Sequence, residues 1–154
     1  MRTSVDVHNY LLERETPHEV FSARGRLRGP ERIAAVLDLP EQEVGKVVIL
    51  EGPLGSVAAV VPAGSGVDPG LVRKASGRHD LEPVSDERAS ELTGYLPEAI
   101  PPAGLPEGFL VVLDRSFDRK AVLYFPGGEA RAVLKIRGED LVRATKAKVA
   151  SISD

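Results

Sequence analysis

Lys46-Val47-Val48-Ile49-Leu50, then Glu51-Gly52-Pro53-Leu54-Gly55, then Ser56-Val57-Ala58-Ala59-Val60-Val61 is the stretch that decides the fold. Two apolar runs of strand length, rich in β-branched residues, flank a linker of turn-forming residues, and that order predicts a β-hairpin. A lysine at the entry of a buried strand has a fixed base, so its ammonium is aimed at one place. About fifty residues on lies Thr93-Gly94-Tyr95-Leu96-Pro97-Glu98-Ala99-Ile100-Pro101-Pro102-Ala103-Gly104. A segment this dense in Gly and Pro has few backbone states and makes a stiff wall. A cationic tip beside a rigid backbone wall suits a small anionic or carbonyl-bearing ligand.

Outward from the hairpin, helices and strands interleave. Val5, Val7, Leu11 and Leu12 place a helix from Ser4 to Arg14, with Thr3 or Ser4 as its cap. Thr16-Pro17 stops it, and His18-Glu19-Val20-Phe21 reads as a short strand. Gly29-Pro30 opens a second helix with Ile33, Ala34, Val36 and Leu37 inward, and Leu39-Pro40 ends it. Pro62 to Gly70 is a surface loop. Asp68-Pro69 then caps a helix through Lys74, and Ser85 caps another that runs to Leu92 and enters the Gly94 segment. Near-continuous apolar strands follow from Phe109 to Leu113 and from Ala121 to Phe125. Gly127-Gly128 turns the chain into a third strand, Ala130 to Ile136. A last helix spans Glu139 to Lys148. The order predicts an α+β fold, a single domain over residues 1–154 with a curved, mixed, barrel-like sheet core surrounded by helices. A late meander dominates its second half.

Composition narrows the chemistry. The 154 residues suffice for one domain with a real apolar core. There is no Cys, which removes disulfides, thiolate nucleophiles and Cys-based zinc sites. There is no Trp, and aromatics make up only 5%, too few for the stacking platforms of single-strand RNA readers. His8, His18 and His79 share no helical i, i+4 spacing, so no metal site is predicted. No G-x-S-x-G elbow, P-loop or dinucleotide fingerprint occurs. The apolar runs are far shorter than a membrane span, and Met1-Arg2-Thr3-Ser4-Val5-Asp6 lacks a signal-peptide core, which reads as cytoplasmic. The net charge of −3 argues against indiscriminate nucleic-acid binding. Arg24, Arg26, Arg28 and Arg32 cluster early, and Arg131, Lys135, Arg137, Arg143, Lys146 and Lys148 cluster late. If they converge, they offer a phosphate-backbone partner a basic face.

Lys46 before Val47-Val48-Ile49-Leu50, and Thr93-Gly94-Tyr95 followed by Ile100-Pro101-Pro102-Ala103-Gly104, resemble the YbaK/EbsC family. These are free-standing aminoacyl-tRNA deacylases related to the editing domain inserted in bacterial prolyl-tRNA synthetases. His18-Glu19-Val20-Phe21, Val111-Val112-Leu113-Asp114 and Gly138-Glu139-Asp140-Leu141 match further landmarks, so the resemblance covers nearly the whole chain. It implies a trans-editing hydrolase of mischarged aminoacyl-tRNA, such as Ala or Cys on a proline tRNA, without a cofactor. The implied catalytic group is Lys46, Gly94, Glu98 and Ala99. His18, Phe21, Tyr95, Ile100 and Pro102 are the implied substrate-binding residues. The implied partners are the aminoacyl-tRNA 3′ end and a synthetase, and the scarcity of exposed apolar runs favours a monomer.

The chain departs from the family pattern at Glu98, where members usually carry Gly. Were positive φ required there, a side chain would cost about 1–2 kcal/mol. A carboxylate at that place would repel a phosphate and attract an α-ammonium. Near Val133, where some relatives carry an acid, this chain is apolar. Glu98 raises an alternative: a binding module for an aminoacyl-adenosine end, or a synthetase-associated factor, with weak catalysis.

Overall fold

The structure is a computed structural model and describes residues 1–25 and 29–154. Arg26 and Arg28 of the early basic cluster lie outside the described residues. In chain order the helices are α1 (Ser4–Glu13), α2 (Pro30–Leu37), α3 (Pro69–Ser76), α4 (Asp86–Thr93) and α5 (Gly138–Thr145). The strands are β1 (Glu19–Ser22), β2 (Gly45–Gly52), β3 (Gly55–Pro62), β4 (Glu82–Pro83), β5 (Leu110–Asp114), β6 (Val122–Pro126), β7 (Ala132–Arg137) and β8 (Lys148–Ala150).

The decisive stretch folds as expected. β2 and β3 pair antiparallel from Gly45↔Pro62 to Gly52↔Gly55, leaving Pro53 and Leu54 as the turn. The expected mixed sheet is two sheets, one in the order β1-β7-β6 and one in the order β4-β2-β3-β5-β8, and neither closes into a barrel. β5 leaves the anticipated meander: it pairs parallel with β3, so of the three late strands β6 and β7 alone pair with each other. Sequence reading also missed β4 and β8. The last helix stops at Thr145, with Lys146 left-handed at φ 56°, because Lys148 is drawn into pairing with Val112 at the open edge of β5.

Three apolar clusters follow from this layout. The first takes Ile49, Val60 and Leu113 from one sheet, Leu123, Phe125 and Leu134 from the other, and Val7, Ala89 and Leu141 from helices. The second lies on the far face of the five-stranded sheet under α3, with Val57, Ala59, Val61 and Val72. The third packs Ile33 and Ala34 of α2 with Val44, Ala63 and Val133, and Phe21 and Tyr124 rest against it. Helix faces are narrower than expected: Val7 and Leu11 are buried, but Val5 and Leu12 are exposed. Thr3 caps α1 through a capping box with Asp6.

The sheets meet where β2 begins. Val44 bridges Tyr124 of β6. A Cβ on Gly45 would lie 2.6 Å from Phe125 Cδ1 and 3.1 Å from Phe117 Cζ. Both rings are buried, so neither can retreat without opening the core. Gly45→Ala should therefore destabilise the protein by about 1–3 kcal/mol, read as a lower urea midpoint at unchanged slope.

A second fastening holds the C-terminus. Asp114, 1% exposed, accepts from the N–H groups of Ile152 (2.8 Å) and Ser153 (3.1 Å), and from the hydroxyl of Ser116. Burial alone would raise its carboxyl. The Ser116 hydroxyl and the N–H groups of Ile152, Ser153 and Ser116 outweigh burial and hold it below the ordinary 3.8. A group depressed in the folded state adds stability above its unfolded value and loses it as pH falls through the folded one. Asp114→Asn should cost about 1–3 kcal/mol at neutral pH, and its deficit against wild type should shrink below about pH 4 in acid-unfolding curves.

Candidate functional site

Strand alternation sets the direction of Lys46. Gly45, Val47 and Ile49 face the first cluster, so Lys46 points the other way with Val44 and Val48. It stands opposite Val61 on β3, at the seam between the second and third clusters. Its side chain is 25% exposed, and its ammonium lies 3.9 Å from Glu31 of α2. Phe21 borders the same third cluster, paired across the sheet with Val133.

The stiff segment is braced from within. Gly94 ends α4 with φ 81°, a left-handed conformation that favours glycine. Its N–H donates to Ser90 O, and its carbonyl accepts from Arg2 N–H, each at 2.8 Å. The Ser90 hydroxyl donates to Tyr95 O at 2.7 Å, and Tyr95 N–H donates to Thr93 Oγ1 at 3.2 Å. The Tyr95 hydroxyl donates to Gly104 O at 2.7 Å and closes the segment on itself. Pro97–Ala99 form one turn of 3-10 helix, in which Ala99 N–H donates to Leu96 O and Ala99 O accepts from Gly128 N–H, each at 3.0 Å. The backbone groups of Gly94 and Ala99 are thus engaged within the protein.

Glu98 lies inside that turn. Among the described non-glycine residues, positive φ occurs at Glu15, Asp38 and Lys146 and not at Glu98, so the anticipated strain does not arise. Ile100 is buried in the first cluster. Tyr95 is 0% exposed and belongs to that cluster as well. Its phenol is pushed up to about 12, by burial first and then by the Asp6 charge. With its surface covered and its hydroxyl committed to Gly104 O, Tyr95 braces the wall from within the core.

The remaining pocket residues are dispersed. Phe21 lines a cavity of about 400 Å³ with Ser22 and Arg131. His18 lines a different cleft with Lys135 and Asp140, and Pro102 lines a third, with Tyr10 and Phe109. His18 Nε2 lies 2.9 Å from His8 Nδ1, and His18 Nδ1 lies 2.7 Å from Thr16 O. That pairing ties α1 to the approach of β1, and the spacing of the two histidines in sequence did not show it. Lys46 and Phe21 lie along the α2 side, while Tyr95 and Ile100 are in the first cluster. The connection between Lys46 and the segment is the β6–β7 turn: Gly45 packs on Phe125, and Gly128, three residues on, holds Ala99. The late basic run begins next to Arg24, since Ala23 N–H donates to Arg131 O at 2.7 Å. Sequence reading missed Glu31, whose helix gave no sign that it would face Lys46.

A family model, that of the aminoacyl-tRNA editing domain, matches residues 26–144. The chain belongs to the aminoacyl-tRNA editing domain family. Among solved structures, this editing domain is similar to the hypothetical protein APE2540, with 27% identity, a TM-score of 0.89, and coverage of 97% of this chain and 99% of that one. A candidate trans-editing enzyme for prolyl tRNA synthetase is 21% identical, with a TM-score of 0.86 and coverage of 98% and 96%, and shows the same fold. A longer Marinobacter aquaeolei VT8 protein, described as a candidate for signal transduction, is 20% identical with a TM-score of 0.68; the match covers 97% of this chain and 30% of that one. No curated protein matches the editing domain. Among the described residues, no helix is long and apolar enough to cross a membrane.

The bracing has a measurable consequence. Tyr95→Phe removes one buried hydrogen bond and leaves Gly104 O with the long contact from Arg2 Nη1 at 3.5 Å. The variant should lose about 1–3 kcal/mol of stability in denaturant titration, because a buried acceptor loses its best donor.

Proposed function

We propose that the chain, as a single editing domain over residues 1–154, hydrolyses the ester of mischarged aminoacyl-tRNA in trans. The observation that carries this reading is the Lys46 ammonium, aimed by β2 and partly open to solvent, in a chain of the editing family. The substrate is a small amino acid, such as Ala or Cys, on a proline tRNA or a similar one. Its partners are the tRNA 3′ end and, through that tRNA, an aminoacyl-tRNA synthetase, and its place is the cytoplasm.

Such an ester needs no nucleophile from the protein. Water, oriented beside the neighbouring ribose hydroxyl, adds to the carbonyl carbon. The bond to the ribose oxygen then breaks, that oxygen takes a proton, and free amino acid and uncharged tRNA leave. The protein contributes position and charge. Lys46 holds the ester region or the terminal phosphate, and its positive charge favours the oxyanion that forms. Backbone groups of the 94–99 segment, with Glu98 and Ala99 at its turn, border the reacting carbonyl. Phe21, on the α2 side with Lys46, supplies a wall for the amino acid, and His18, Tyr95, Ile100 and Pro102, in other clefts or in the core, support the elements around it.

Glu98 favours one second reading, a binding module for the aminoacyl-adenosine end. A carboxylate where relatives carry Gly places negative charge close to where a phosphate would approach. The test is deacylation of tRNAs charged with Ala, Cys, Ser, Thr and Pro by wild type, Lys46→Ala and Glu98→Gly. Lys46→Ala should lower the rate about 10²–10³-fold on the preferred substrate with its fold intact. Activity that appears only in Glu98→Gly would favour the binding module. Unchanged rates in Lys46→Ala would end the assignment of that residue.

A further inference from the structure

Resting on the editing reading above, a second charged group beside Lys46 has a chemical use. Glu31 sits in the first turn of α2, where its charge suits the helix dipole. Gly29 caps that helix with φ 113°, and a Cβ there would lie 3.4 Å from Glu31 Oε2. One carboxylate oxygen thus lies over Gly29, while Oε1 faces Lys46 Nζ at 3.9 Å. The Glu31 side chain is 57% exposed, and the separation exceeds a hydrogen bond. A pair this open contributes little to stability. It also leaves both charges reachable by a ligand that carries the complementary pair.

An aminoacyl ester is such a ligand. Its α-ammonium sits on the carbon next to the carbonyl, and the terminal nucleotide brings a phosphate. We propose that Glu31 is a specificity residue for the editing reaction: its carboxylate binds the α-ammonium of the aminoacyl end while Lys46 takes the ester oxygen or phosphate. The site then distinguishes an ester with a free amine from one whose amine is acylated, because the neutral amide leaves the Glu31 carboxylate crowded and unmatched.

The experiment uses the full chain and 3′-aminoacylamino-3′-deoxyadenosine, which cannot be hydrolysed as an ester, in free-amine and N-acetyl forms. Calorimetry gives the affinity ratio of the two forms for wild type, Glu31→Gln, Glu31→Asp and Glu98→Gln. Wild type should favour the free amine by about 10–100-fold. Glu31→Gln should bring the ratio close to one by weakening only the free-amine form, and Glu31→Asp should retain part of it. With charged tRNA, Glu31→Gln should raise KM and leave kcat near wild type, the sign of binding lost equally in ground and transition states.

Three results would overturn the proposal. Glu31→Gln could tighten both forms, which would make the carboxylate a competitor for Lys46. The ratio could survive Glu31→Gln and vanish in Glu98→Gln, which would move the ammonium to the 3-10 turn. Neither form could bind wild type at all. Absence of turnover with the wild-type ratio intact would instead count against hydrolysis and leave the ammonium site standing.

Discussion

The fold depends on the missing side chain at Gly45. Its Cα is the floor on which the Phe125 ring rests, with Phe117 beside it. That contact, with the Val44–Tyr124 bridge next to it, joins the two sheets at one corner. Any larger residue would push β6 from β2, and β6 carries the turn whose Gly128 holds Ala99. Lys46 follows Gly45 directly. The residue that welds the sheets and the residue that carries the charge are neighbours, so the direction of the ammonium comes from core packing.

The second constraint is economy of polar backbone. A Gly- and Pro-rich segment might be imagined as a row of free donors for a ligand, yet here the backbone groups of Gly94, Tyr95 and Ala99 are spent on the protein. Ser90, Thr93, Arg2, Gly104 and Gly128 each take or give a bond along it. The Tyr95 hydroxyl spans the segment from inside the core. These bonds brace the wall, because buried polar groups left open at those positions would cost stability. The proposed ester hydrolysis is compatible with this, since it calls for orientation of water and one well-placed charge more than a new nucleophile.

Charge at the site is balanced by helix α2. It brings Glu31 to Lys46 while its apolar face seals the third cluster against Val44, Val133 and Phe21. Val133 of β7 is buried in that cluster and brings no charge to Lys46. The carboxylate beside Lys46 therefore comes from α2. Glu98 occupies its turn without a left-handed backbone.

Local sequence determined the elements. The hairpin, the Thr3, Asp68 and Ser85 caps, the start of α2 at Pro30 and the turn at Gly127-Gly128 were all legible, because caps, prolines and apolar runs act within a few residues. The sequence also placed Lys46 at a strand entry and marked 94–104 as stiff. It did not reveal which strands become neighbours: β5 joins β3 in parallel, and β8 exists only because β5 offers an open edge. Nor could it show that Tyr95 points into the core, that His8 meets His18, or that Glu31 faces Lys46. Those facts depend on the face each element turns to its partner. That choice is made by packing between residues distant in the chain, and it lies beyond the reach of any local pattern.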